Sequence, residues 1–396
     1  MCLAAFGAVL MQSPTACQAA EGQAPTGAEI VARSLVARGD ETRLQRVMAK
    51  ARRGEAVTVG VIGGSITQGA KASDAEHRYG NLVAGWWREK FPTATIKFVN
   101  AGIGATGTNY GTMRVARDLL TAQPDFVIVE YAVNDPNTQD AAETLEGLIR
   151  QLLKRPGQPA MLLLFMMRRN GSNAQEWFGK VGEHYGLPMV SYRDALWPEI
   201  EAMRLKWEDI SPDEVHPNDR GHADAARFVT ALLETTFTGL PADEKLAPVP
   251  PMPPARFTDA YEFTSLREAA AMQPSANDGW TYDEAGKCWK SSTPHSVLEF
   301  EVEGRTVFTM HYVVRGPMGR AKVSVDGAAP LTLEGWFDQT WGGYRQTNRV
   351  ARDLAPGRHR VRFELSAEKS DGSEGTEFRI LGLGTAGLEP EAKARK

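Results

Sequence analysis

Cysteine is scarce in this chain: three residues in 396, at Cys2, Cys17 and Cys288. The first two lie in an N-terminal stretch that reads as a removable leader, so Cys288 stands alone in the expected mature chain and no intrachain disulfide is possible there. Such sparse cysteine neither requires an oxidising compartment nor excludes one. An excess of one charge sign is also missing. The formal net charge is −4, which supplies no broad basic field and argues against nucleic acid or an anionic membrane surface as the main partner. Long apolar runs are missing too. The apolar stretch at residues 2–11 is too short to cross a bilayer and nothing later is longer, so no integral membrane segment is expected in the mature chain.

The leader reads MCLAAFGAVLMQSPTACQAAEGQ, passing from apolar residues through small ones to a polar start at Glu21. This is the pattern of a secretory signal peptide cleaved near Ala19 or Ala20, although the positive charge usual at the start of such leaders is absent. The expectation is a signal over 1–22 and a secreted or periplasmic protein.

What is present is ordinary in amount, with 42% hydrophobic residues, and informative in order. Residues 29–53 favour helix, in two segments. Short apolar runs at 57–62, 95–100, 126–131, 160–166 and 189–192 are then each followed by helix-favouring sequence. Five apolar strands alternating with helices predict a doubly wound parallel sheet, whose ligands bind at the carboxyl ends of the strands. Between Pro241 and Pro254 the sequence PADEKLAPVPPMPP carries six prolines, which predicts an extended, semi-rigid linker. Beyond it apolar and polar residues alternate, notably at 297–302, 307–314, 321–325, 358–365 and 377–383, as in an antiparallel β-sandwich. The expected organisation is a catalytic unit over 23–240, a linker over 241–255, a sandwich over 256–388 and a charged tail over 389–396.

Chemistry gathers in the loops of the first unit. In VTVGVIGGSITQG, residues 57–69, two glycines follow a strand and deliver Ser65. A serine on such a turn is a candidate nucleophile; the turn is also compatible with a phosphate loop, although it lacks the lysine of that pattern, or with a plain structural role. Among seven histidines, His216 stands out. It lies in SPDEVHPNDRGH with Asp213 three residues earlier, the spacing for a carboxylate to orient a general-base imidazole. A turn-forming role and a metal site made of Asp213, His216, Asp219 and His222 are the alternatives. The loop NAGIGATGTNYG, residues 100–111, lets a backbone N–H approach a ligand, and Asn134 in EYAVND could turn its amide to the same point.

Taken in order, GGSIT, the glycine loop, AVND and DEVHP resemble the four motif blocks of the SGNH, or GDSL-type, hydrolase superfamily, over about residues 57–237. The resemblance implies a flavodoxin-like Ser-His-Asp esterase. Ser65 would be nucleophile, His216 base and Asp213 its orienter. The oxyanion donors would be the Ser65 backbone, Gly104 or Ala105 in the glycine loop, and Asn134. No metal or cofactor is implied. Gly64 stands where the family usually has aspartate, and Ala132 and Val133 replace the start of its GxND block. In the sandwich, GWFDQTWGGYRQTNR reads as a long loop whose Trp336, Trp341 and Tyr344 offer flat faces to sugar rings, or else fill the core. An exported domain of this type beside a carbohydrate-binding-like sandwich resembles carbohydrate esterases. The leading expectation is hydrolysis of acetyl esters on a polysaccharide or oligosaccharide. The alternatives are a lipid esterase or lysophospholipase, a sugar O-acyltransferase, and a non-catalytic glycan-binding protein.

Overall fold

The computed structural model describes residues 27–243 and 245–389. The signal expected over 1–22 lies outside the described residues, as does the expected tail beyond Glu389. The first part is organised by a six-stranded sheet: β1 (Leu35–Ala37), β2 (Val57–Gly63), β3 (Ile96–Gly102), β4 (Phe126–Glu130), β5 (Ala160–Phe165) and β6 (Met189–Ser191). Their order is β1-β6-β5-β4-β2-β3. The five strands β2 to β6 are parallel and have the flavodoxin-like order. Every residue of β2, β4 and β5 is buried, which is why these strands are continuously apolar: helices cover both faces. On one face Val59, Val61 and Ile128 pack with Leu44, Met48, Trp87 and Phe228. On the other, Ile62, Val127 and Val129 pack with Leu145, Leu148 and Phe178.

Eight of the helices matter here: α1 (Gly27–Ser34), α2 (Thr42–Arg52), α3 (Ser65–Gln68), α4 (Tyr79–Lys90), α5 (Thr108–Asp118), α6 (Gln139–Leu153), α7 (Gln175–His184) and, after β6, α8 (Tyr192–Glu201). The last helix of this part is α9 (Asp219–Thr238). The structure corrects the all-helical reading of residues 29–53. Between α1 and α2 the chain extends, and β1 pairs antiparallel with β6 through Leu35↔Val190 and Ala37↔Met189. Gly39 then turns the chain at φ 58°, so close to the neighbouring loop that a Cβ there would lie 2.4 Å from the Gly186 carbonyl oxygen. Tertiary pairing overrides a local helical preference at this edge.

The second part holds two antiparallel sheets facing each other. One runs in the order Tyr344–Ala351, Thr306–Val313, Phe378–Ala386, Cys288–Ser291, Thr281–Asp283, with Thr264–Glu268 also pairing with Phe378–Ala386. The other runs Leu331–Glu334, Arg320–Val325, Arg358–Leu365, Val297–Glu303, Ala276–Asp278. Leu298, Phe300, Val323, Phe363 and Ile380 fill the space between them. Part of the segment read as a long loop is strand: Tyr344–Ala351 forms an edge of the first sheet.

The two parts meet across α5 and α6. Tyr110 and Met113 of α5 are buried with Tyr261, Phe308, Met310 and Ala386. Gly147 of α6 has no room for a Cβ, which would lie 2.2 Å from Cβ of Tyr261. The proline-rich segment is strapped along the sheet domain rather than spanning free space. Its carbonyls accept from Arg52 at Pro241 (3.0 Å), Arg46 at Ala247 (3.0 Å), Arg43 at Pro250 (2.8 Å) and Arg150 at Pro253 (2.9 Å). Proline has no N–H to donate, so a strap rich in it binds through acceptors, and arginine is the donor that reaches them.

Candidate active site

At the carboxyl end of β2 the chain turns abruptly into α3. The two glycines before Ser65 are required by close approach. A Cβ on Gly63 would stand 2.1 Å from Thr67 Oγ1 and 2.3 Å from the Glu130 carbonyl oxygen, and one on Gly64 would stand 2.2 Å from Asn134 Oδ1. Gly69, at φ 103°, ends the single turn of helix. Ser65 is thereby held at the edge of the sheet, half-buried, with its backbone N–H donating to no group among the described residues.

Opposite it lies the loop before α9. Ser211 Oγ donates to the carbonyls of Asp213 (2.9 Å) and His216 (2.7 Å), and the Trp207 indole donates to the Asp213 carbonyl (2.6 Å). Thus stapled, the loop brings His216 Nε2 to 2.9 Å from Ser65 Oγ and His216 Nδ1 to 2.9 Å from Asp213 Oδ2. Asp213 Oδ1 also accepts the backbone N–H of His216 (2.8 Å) and Val215 (2.9 Å). Burial pushes the Asp213 carboxyl up, but those N–H donors and the His216 ring outweigh it, and the group rests below the ordinary aspartate range. The carboxylate is therefore ionised and available to orient the ring.

Two more loops close the site. The Asn134 amide lies over Gly64, its Oδ1 buried without a partner and its Nδ2 donating to no described residue. Arg168 Nε holds this loop by donating to the Val133 carbonyl at 3.0 Å. In the glycine loop, the Gly104 N–H is taken by Gln68 Oε1 at 2.9 Å. Ala105 follows at φ 54°, with an N–H that meets no acceptor among the described residues. Sequence alone left Gly104 and Ala105 equivalent; the Gln68 contact separates them.

Beneath the turn is a buried polar layer that sequence reasoning missed. Glu130 closes β4, with Oε2 accepting from Thr67 Oγ1 at 2.9 Å and Oε1 unpartnered. Asp135 accepts the Thr108 N–H at 2.9 Å, and Arg114 donates to the carbonyls of Ala101 (2.7 Å) and Gly63 (3.1 Å). Burial raises both carboxyls, Glu130 and Asp135, to about 7. The available signal was a carboxylate ending an otherwise apolar strand, FVIVE.

The alternative metal cluster does not assemble. His222 Nε2 faces the Ala70 carbonyl at 3.2 Å and Asp219 accepts the Ser73 N–H at 2.7 Å, and no group of three or more His, Cys, Asp or Glu among the described residues could hold a metal ion. The sandwich aromatics divide. Trp341 is 61% exposed and stacks on Tyr344 with centroids 5.6 Å apart, with Phe337 edge-on to both. Trp336 is instead half-buried, its indole Nε1 unpartnered, against Gly372. The Tyr344–Ala351 strand abuts the start of α5, where Asn109 Nδ2 donates to the Thr347 carbonyl at 3.1 Å. No helix among the described residues is long and apolar enough to cross a membrane.

A flavodoxin-like sheet carrying a serine, histidine and aspartate in line at its carboxyl edge is the arrangement of GDSL-type ester hydrolases. Residues 61–223 match the GDSL-like lipase/acylhydrolase family. A two-domain esterase (CEX) active on acetylated mannans, solved with mannopentaose, is 31% identical with a TM-score of 0.82, over 91% of this chain and 98% of that one. A second structure of that esterase gives the same identity and TM-score over 91% of this chain and 99% of its own. Comparison with curated proteins gives no match. The chain belongs to the GDSL-like lipase/acylhydrolase family and is a carboxylic ester hydrolase.

Proposed function

We propose that the protein removes acetyl groups from an oligosaccharide or polysaccharide, with Ser65 as nucleophile, His216 as base and Asp213 as orienting carboxylate. The observation that carries the reading is the line Asp213–His216–Ser65, with both ring contacts at 2.9 Å. Ser65 Oγ attacks the ester carbonyl as His216 Nε2 takes its proton. The tetrahedral oxyanion is held by the N–H of Ser65, the N–H of Ala105 and Asn134 Nδ2. His216 then protonates the departing sugar hydroxyl, and water repeats the cycle on the acetyl-enzyme. A small acyl group on a glycan is favoured by the 31% identity, along both domains, to an esterase active on acetylated mannans. The exposed pair Trp341 and Tyr344 supplies stacking faces for sugar rings, whereas Trp336 serves packing.

The test is acetate release from acetylated mannan, xylan and pectin beside hydrolysis of nitrophenyl esters of graded chain length. Ser65→Ala should lower kcat by roughly four orders of magnitude or more. Preference for long acyl chains, or turnover unchanged in Ser65→Ala, would sink the proposal.

A further inference from the structure

We propose that a cleft at the amino ends of the strands, on the opposite edge of the sheet from Ser65, binds a small anion bearing phosphate or carboxylate oxygens. The cleft has a volume of about 460 Å³ and lies between α2, the turns before β4 and β5, and the proline-rich strap. Three cations come from one face of α2, Arg43, Arg46 and Lys50 at i, i+3 and i+7, and Arg155 adds a fourth from the turn after α6. One carboxylate lines it, Asp125, and that group is paired with Lys50 at 2.6 Å.

The other three cations form no ion pair with a carboxylate among the described residues. The Arg46 guanidinium donates only to the Ala247 carbonyl and the Arg155 guanidinium to no group among the described residues. Arg43 is the informative one. It is 8% exposed, yet its acceptors are neutral, Gln158 Oε1 at 3.1 Å and the Pro250 carbonyl at 2.8 Å, and its Nε is buried without a partner. Burial pulls its pKa down. Asp40 offsets that burial in part but makes no ion pair with Arg43, and a buried guanidinium without a paired carboxylate, beside two exposed arginines, matches an oxyanion's geometry. The volume suits a molecule about the size of a sugar ring carrying such a group.

Titration calorimetry of the full chain with inorganic phosphate, with glucuronate and with uncharged glucose tests this. At least one anion should bind and glucose should not, and about 0.3 M sodium chloride should weaken binding. Phosphate alone would assign the site to phosphoryl groups and glucuronate alone to carboxylates; either upholds it. Arg46 and Arg155 are exposed and Arg46 makes a single bond to the strap, so the double variant Arg46→Gln, Arg155→Gln should melt within a few degrees of the parent protein and keep its nitrophenyl acetate turnover. It should lose affinity by about tenfold or more. No binding of either anion at about 10 mM, or equal affinity in the double variant, overturns the site.

Discussion

Deleting the Asn134 amide removes one of three proposed oxyanion donors and opens space above Gly64. Asn134→Ala should therefore cut kcat by about 10²- to 10³-fold with little change in KM, as measured on nitrophenyl acetate. A loss confined to KM would take Asn134 out of the oxyanion site. Glu130 tests the buried layer through pH. Its carboxyl moves from an ordinary 4.5 to about 7 on folding. The folded chain thus holds a proton that the unfolded chain releases, and the stability this represents is present below 4.5 and lost as pH rises through 7. Denaturant unfolding at pH 5 and pH 8 should show a smaller loss in Glu130→Gln than in the parent protein. Equal losses in both would mean that Glu130 does not titrate in that window. Asp213 has the opposite sign: its lowered pKa gives stability present above the ordinary aspartate range and lost as pH falls through the folded value.

At the scale of elements, the strand-to-helix turn depends on two missing methyl groups. Gly63→Ala would drive a Cβ into the backbone oxygen of Glu130, 2.3 Å away, which cannot move without shifting β4. The expected result is a loss of about 1–3 kcal/mol in denaturant unfolding, together with lost activity. Unchanged stability would show that β2 and β4 can separate. The glycine loop makes a related point. Small residues at 100–111 announced close backbone approach, but Gln68, which commits the Gly104 N–H, belongs to α3 and is adjacent only in the fold. Likewise the extended piece at Leu35–Ala37 exists because β6 offers an unpaired edge, a condition that helical propensity does not contain.

The whole molecule couples the sandwich to the catalytic sheet through α5. The strand that begins at Tyr344 beside Trp341 also touches Asn109, four residues along the chain from the proposed Ala105 donor. Trp341→Ala should raise KM on acetylated polysaccharide several-fold and leave nitrophenyl acetate hydrolysis unchanged. An identical KM on the polymer would remove the aromatic pair from substrate binding. Ending the chain near Pro241 would expose the apolar side of α5, with Tyr110 and Met113. That truncated form should melt lower than the full chain in a thermal scan, and an equal melting temperature would show that the sandwich does not stabilise α5.

By itself the sequence determined the parallel sheet and the sandwich, and it singled out Ser65, Asp213, His216 and Asn134 as the proposed site residues. Buried strands must be continuously apolar, half-buried ones must alternate, and turn residues at sharp corners have few substitutes, so each of these leaves a local signature. The tertiary structure decided which groups meet. It brought Ser65 and His216 to 2.9 Å across 151 residues, left Ala105 rather than Gly104 with an unused N–H, parted Trp336 from Trp341 and tied the proline segment down with arginines. Those outcomes depend on distances between segments far apart in the chain. The strand-to-helix turn names a serine; only the packing of β4 and of the loop before α9 gives that serine its partners.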